Sequence, residues 1–367
     1  MFKKITLIFF IFLLLGTMLL YPQLCIEAAS SGLLLWFNKV LPSLLPFIIL
    51  VNLLMGSDVL GKLQFTMNKW TQRLWHLPGG SLLAFILGLI AGYPMGAKVT
   101  KELYQQNYLS LSEAQKVLCF ANNCGPLFIV GTVGTLLLQN THLGYFLLFI
   151  HFLSAFLISI CLRRFPARAS SFKRNHHDTQ SSSSFSNLFN EAVKNGMDTI
   201  VYVGAYIIFF SVLVSLFITV LPAFISPYHL QLSSSQLLFL SGLLELSNGV
   251  SGLCQSALPP ATSLPLIAFI LGFGGICILF QTSYILEKVP FSLVPYFFYK
   301  LAQGFISFLL TKCLYPLWQW QVEKTPFYLP VYWLGALLLF IIFLAGNTQR
   351  LVSKPILFAT KNIHLKH

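Results

Sequence analysis

The residues with chemical potential in this chain sit where an apolar sequence is interrupted. Gly92-Tyr93-Pro94 breaks one hydrophobic run, and Asn122-Asn123-Cys124-Gly125-Pro126 breaks the next. Glu245, with Ser247 and Asn248 just behind it, interrupts a third run, and Gly272-Phe273-Gly274-Gly275 a fourth. Proline removes an amide donor and glycine opens backbone angles that other residues avoid, so each break is a place for a helix to stop. If the surrounding solvent is lipid, non-helical backbone survives only where it is buried in protein or lines a wet cavity. Amides freed at half-helix N-termini suit an anion, whereas freed carbonyls suit Na+ or H+. Gly92, Tyr93, Pro94, Asn122, Asn123, Gly125, Glu245, Ser247, Asn248 and Gly274 are therefore the candidate solute-binding residues. The competing reading is structural: proline kinks held by neighbours, with the asparagines bonding helix to helix.

Glu245 is the one acidic residue deep in an apolar segment. A carboxylate there is costly, which makes ion coordination or proton exchange the functional reading and a hydrogen bond beside Asn248 the structural one. His151 reads as a hydrogen-bonded packing residue, and Lys39, Lys300 and Lys312 as lysines that snorkel to the interface. Gly88, Gly92 and Gly96 form a small-xxx-small ladder suited to close helix packing. Gly92 to Lys98 lacks the spacing of a phosphate loop. No nucleophile, base and orienting group fall together, and no HExxH occurs, so the sequence predicts no enzyme, no metal site and no cofactor. Na+ or H+ remains as a coupling ion.

Those residues need a scaffold, and composition says which kind. Of 367 residues 56% are hydrophobic and only 9% charged, with a mean hydropathy of +0.76. A soluble domain carries about 25% charged residues, so the lipid bilayer is the expected solvent. The 35 Phe, 14 Tyr and 6 Trp also exclude disorder. The net charge of +13 comes from short basic blocks between apolar runs, the pattern of cytoplasmic loops facing anionic lipid, and not from a nucleic-acid surface. Seven scattered cysteines without a CxxC pair read as small buried hydrophobes.

Long apolar runs fall at about 5–24, 31–55, 117–138, 142–162, 196–221, 264–285, 293–315 and 328–346. The first is near the ~20 residues needed to cross the hydrocarbon and reads as a retained span, with signal-peptide cleavage near Ala28-Ala29-Ser30 as the alternative. Segments 80–96 and 237–256 are shorter and interrupted. If both cross the membrane, the most basic loop lies outside. If both re-enter, every Lys and Arg of the 23 except Lys39, Lys300, Lys312 and Lys324 lies inside. The fold class expected is thus an all-α polytopic membrane protein of about eight transmembrane helices plus two re-entrant segments, both termini cytoplasmic. Re-entry from opposite faces is what an inverted-topology repeat produces. The divisions read as an N-terminal helical pair (1–56), a first repeat (57–162) and a cytoplasmic linker (163–195), followed by a second repeat (196–316) and a C-terminal helix with a basic tail (317–367). Segment 57–78 has the spacing of a helix lying along the inner interface.

Three stretches in order, Gly88-Leu-Ile-Ala-Gly-Tyr-Pro-Met-Gly-Ala-Lys98, Ala121-Asn-Asn-Cys-Gly-Pro-Leu-Phe-Ile129 and Gly242-Leu-Leu-Glu-Leu-Ser-Asn-Gly249, resemble the sporulation integral membrane protein YlbJ family. That family belongs to the wider Gate, or nucleoside-recognition, membrane domain related to concentrative nucleoside transporters. The resemblance runs from about residue 5 to 315. It implies transport of a small anionic metabolite, dipicolinate, from the mother cell across the outer forespore membrane of a Gram-positive bacterium. A planar dianion suits half-helix N-termini with Asn side chains, while Glu245 would repel it and so serves an ion or proton or lies on the other wall. A nucleoside-type solute is the next choice, and a scaffold or receptor in spore assembly that moves nothing is the third. A homo-oligomer stays open.

Overall fold

The computed structural model describes residues 2–57, 59–164, 184–226 and 231–324, and every regular element among them is helical. Helices α1 (Phe2–Leu20) and α2 (Pro22–Leu35) meet at Tyr21, and a π-helical turn (Trp36–Val40) joins α2 to α3 (Leu41–Met55). The proline at the start of α2 costs no hydrogen bond, since the first amides of a helix have no internal partner. Next come α4 (Val59–Leu74), α5 (Gly80–Ala91), α6 (Met95–Gln105) and α7 (Leu111–Ala121), then a π-helix (Leu127–Leu137) and α8 (Thr141–Leu162). The second half contains α9 (Phe185–Ile225), α10 (Ser234–Leu244), α11 (Leu246–Gln255), α12 (Pro260–Phe273), α13 (Gly275–Ile285) and α14 (Leu293–Lys324). Polar caps start several of these elements. Ser110 with Glu113 and Ser233 with Gln236 form reciprocal capping boxes at α7 and α10.

Among the described residues five stretches are long and apolar enough to cross a membrane: Pro22–Met55, Thr141–Leu162, Phe185–Pro222, Pro260–Ile285 and Leu293–Gln319. The protein is an all-α polytopic membrane protein. Both interrupted segments fold back on themselves. Gly88 and Gly96 stand four residues on either side of Gly92, and a Cβ built on Gly88 would come 2.9 Å from the Gly96 Cα. A Cβ on Gly242 would likewise come 3.4 Å from the Gly249 Cα, across the turn at Glu245. Absent side chains let the two arms of each hairpin touch along their backbones.

One order of elements occurs twice. A long helical span, a hairpin, a broken helix and a second long helix appear as the run Pro22–Met55 that ends in α3, α5–α6, α7 with the π-helix, and α8. They recur as α9, α10–α11, α12–α13 and α14. The first copy alone inserts α4, which exposes Phe65 and Trp70.

Several boundaries differ from those read in the sequence. The run 117–138 is no continuous span: α7 starts at Leu111, and extended backbone from Asn122 separates it from the π-helix. The run 264–285 divides at Gly274, which has φ +87° and is followed by Gly275 at +80°. Neither angle suits a residue with a side chain. The last stretch of the expected linker is helical, because α9 begins at Phe185. Helix α14 continues to Lys324, past the expected boundary at 316. The linker residues 165–183, the predicted span 328–346 and the basic tail lie outside the described residues.

Candidate functional site

The four breaks converge. The tip of α5–α6 meets the gap after α7, where the Gly92 Cα lies 3.2 Å from a Cβ built on Gly125. Tyr93 extends from that tip toward the break between α12 and α13. Its hydroxyl lies 3.3 Å from the Leu271 carbonyl, to which it donates, and a Cβ on Gly274 would stand 3.2 Å from it. A residue larger than glycine at 274 would push the ring away. Between the two hairpin tips lies a cavity of about 60 Å³, lined on one side by Gly92, Tyr93, Cys124 and Gly125 and on the other by Glu245, Ser247, Ile278 and Gln281. Ser43 and Leu44 of α3 and Val203 and Ile207 of α9 close it. One water needs about 10–15 Å³ measured this way, so a few waters fit and a planar aromatic dicarboxylate does not.

Of the ten residues chosen from the sequence, Gly92, Tyr93, Gly125, Glu245 and Ser247 line this cavity. The other five stand behind it. Pro94 precedes α6, and Gly274 makes room for Tyr93. Asn248 donates to the Ser211 hydroxyl at 2.9 Å, tying α11 to α9. Asn122 and Asn123 are fully buried in a hydrogen-bond network and do not face the solute space. The Asn122 amide nitrogen donates to Tyr296 at 2.8 Å and Thr282 at 3.0 Å, while its oxygen accepts from the Ala97 amide at 3.3 Å. The side chain thus joins α6, α13 and α14 at one point.

The expectation of open helix N-termini with Asn side chains needs correction as well. At α11 the Glu245 carboxylate already accepts from the Ser247 amide at 3.0 Å and the Asn248 amide at 2.7 Å. It caps its own helix, satisfying donors that would otherwise be offered to an anion. At α6 the Ala97 amide is taken by Pro94 and Asn122, and the Met95 amide by Gly92. The cavity therefore presents a satisfied carboxylate on the second-half side.

Behind the first-half wall stands an amine carried by α14, where the sequence suggested a snorkelling lysine. Lys300 does not snorkel: it is buried, and its Nζ donates to the Asn122 carbonyl at 2.9 Å and the Gln303 Oε1 at 2.7 Å, with the Asn123 Oδ1 at 3.4 Å. The Nζ lies 5.1 Å from the centre of the ring of Tyr93, a residue that lines the cavity. Gln303 returns a bond to the Asn123 Oδ1 at 3.0 Å. His151 accepts from the Cys124 amide at 3.1 Å, so it holds the broken backbone in place, as a packing histidine would.

Sequence reasoning missed Gln281 and Gln303. Gln281 is buried on the cavity wall with its Oε1 unpartnered, its amide nitrogen donating only to the Cys277 sulfur at 3.4 Å. A glutamine inside an otherwise apolar run was the available signal.

The chain is similar to "Sporulation integral membrane protein YlbJ" of Bacillus subtilis (strain 168), with 28% identity over 344 residues that cover 84% of this chain and 83% of that protein. No family profile matches the chain, and no solved structure matches it. That likeness supports the resemblance to the sporulation integral membrane protein YlbJ family read from the three sequence stretches.

Proposed function

We propose that the protein carries a small anionic metabolite, dipicolinate in the first place, across the outer forespore membrane during sporulation. One observation carries the reading: two helical hairpins and the break after α7 bring interrupted backbone to one cavity between the halves of a helical body, with the α12–α13 break packed against Tyr93 behind it. A dry scaffold has no need of such breaks, each of which forgoes helical hydrogen bonds in lipid. The Lys300 ammonium behind the Tyr93 ring gives the first-half wall a positive bias in a medium of low dielectric, which favours an anion. The Glu245 carboxylate on the other wall is the position for a coupling Na+ or H+. The cavity is small, so the solute is admitted when the two hairpin tips part. The positive-inside pattern puts both termini in the cytoplasm and the two hairpins on opposite faces.

A nucleoside-type solute is the second reading. The unpartnered Gln281 Oε1 favours it, because a neutral solute with N–H or O–H donors would satisfy that acceptor.

Uptake into proteoliposomes holding the full chain, measured with dipicolinate and with nucleosides, tests both. Saturable dipicolinate uptake is the expected result. Uptake of nucleosides alone moves the assignment to the second reading. Uptake of neither by folded protein leaves a scaffold or receptor role in spore assembly.

A further inference from the structure

The break after α7 exposes an acceptor that the chain fills by itself. In an unbroken helix the Asn122 carbonyl would accept from the amide of residue 126, but residue 126 is proline and has none. That carbonyl accepts from the Lys300 Nζ at 2.9 Å instead. Two more oxygens face the same nitrogen, the Gln303 Oε1 at 2.7 Å and the Asn123 Oδ1 at 3.4 Å. Their orientation is fixed by the other ends of the two amides. The Asn123 nitrogen donates to the Phe120 carbonyl at 2.7 Å, and the Gln303 nitrogen donates to the Asn123 Oδ1 at 3.0 Å. The π-face of Tyr93 covers a further side at 5.1 Å. One backbone carbonyl freed by a helix break, two amide oxygens and a ring face are the surroundings of a dehydrated monovalent cation. Here the cation is an ammonium on a tether from α14.

We infer that Lys300 is a built-in replacement for an exchangeable cation in the first half of the molecule, so that the oxygens of Asn122, Asn123 and Gln303 form a monovalent-cation site that becomes available only when the lysine is removed. The break after α7 is thereby filled from within the chain, and any exchange of ions falls to the second half. This goes beyond the transport reading and does not depend on it, since ion binding and thermal stability are measured without a solute.

The test is thermal unfolding of the purified full chain in detergent, in chloride salts of sodium, potassium, lithium, methylammonium and choline at equal ionic strength. The native chain and Lys300→Ala are compared salt by salt, which cancels any ion bound elsewhere. The variant should melt lower than the native chain in choline and recover several degrees in methylammonium or in one alkali salt, with no matching gain in the native chain. Equal shifts in both proteins across all salts would overturn the assignment. Should Lys300→Ala yield no folded protein, Gln303→Glu in the native background decides. Because Gln303→Glu also gives up the bond to the Asn123 Oδ1, it is compared with Gln303→Met, which loses the same bond without adding a charge. A higher melting temperature for Glu than for Met supports a cation held there, and an equal or lower one overturns it.

Discussion

The hairpin α5–α6 and the hairpin α10–α11 share a plan and differ in what they rest on. A Cβ on Gly96 would meet the backbone of Ala121 and come within 2.6 Å of the Asn122 Cα, so the first hairpin sits directly on the main chain of α7. A Cβ on Gly242 would instead meet the Ile270 side chain, with its Cγ1 at 2.9 Å, and only the last carbonyls of α10 approach main chain, at Gly275 of α13. Nearly all of α5 and α6 up to Thr100 is buried or half-buried, while much of α10 is only half-buried. Backbone seated on backbone has no rotamer with which to adjust, whereas a hairpin resting on an isoleucine can shift as that side chain turns. The first hairpin is the more firmly seated wall of the cavity, and the second has on its α12 side a support that can adjust.

The most severe way to break this comparison is to add one methyl to each hairpin. Gly96→Ala forces the hairpin off α7 and costs more than the ~1–3 kcal/mol of ordinary overpacking, because backbone must move. Loss of folded protein on size-exclusion chromatography is the expected outcome. Gly242→Ala stays folded and monodisperse, with a modest drop in melting temperature, since Ile270 can turn aside. Equal damage from both substitutions would remove the distinction between a firmly seated and an adjustable hairpin.

Asn122→Ala comes next. It removes one of the two acceptors of the Ala97 amide, which keeps the Pro94 carbonyl, together with the bonds to Tyr296 and Thr282. Side-chain hydrogen bonds inside membrane proteins average about 0.6 kcal/mol each, so the three together are worth about 2 kcal/mol. A clearly lowered melting temperature, with uptake falling in parallel, is expected. A variant that melts like the native chain but transports nothing would put Asn122 in contact with the solute, contrary to its position behind the cavity.

These residues also mark how far the sequence could be read. The breaks were legible because Gly-Tyr-Pro, Asn-Asn-Cys-Gly-Pro and Gly-Phe-Gly-Gly are local signals: they act on the backbone that carries them. Glu245 was legible because an acidic residue in an apolar run is rare whatever surrounds it. Lys300 was misread, since hydropathy shows that a lysine lies within a span but not which way it points. Its partners Asn122 and Asn123 are 178 and 177 residues away in sequence. The two asparagines were placed on the solute for a related reason. Their spacing locates the break, and only the packing of α13 and α14 reveals that their side chains point away from the cavity. Gln281 and Gln303 gave no local break and no charge, so they passed as polar residues tolerated in apolar runs.

Glu245 sharpens the comparison on the adjustable side. Its cap on α11 is worth about 1 kcal/mol, within the range for capping residues. Glu245→Gln keeps one acceptor for the Ser247 or Asn248 amide and should lower the melting temperature less than Asn122→Ala does. Uptake should lose its dependence on an imposed Na+ or H+ gradient, because the neutral amide can neither hold the ion nor exchange the proton. Glu245→Asp keeps the charge and should keep the gradient dependence. If the Gln variant responds to gradients as the native chain does, Glu245 is a helix cap and nothing more.

The smallest effect on stability, and the finest distinction, belongs to a pair of glutamines. Gln303 has both ends of its amide bonded, to Lys300 and to Asn123, on the firmly seated side. Gln281 faces the cavity with its oxygen unpartnered. Gln303→Leu therefore breaks two buried bonds and lowers the melting temperature. Gln281→Leu removes an unsatisfied acceptor, so stability should stay within about 0.5 kcal/mol of the native chain. The oxygen must then matter elsewhere. If the solute supplies the missing donor, losing that bond at about 1 kcal/mol raises the KM for dipicolinate or its competitor about fivefold while leaving the maximal rate close to native. A Gln281→Leu protein with native stability and native KM would mean that the orphaned oxygen is met by water alone, and the solute would have to be placed nearer the Tyr93 wall.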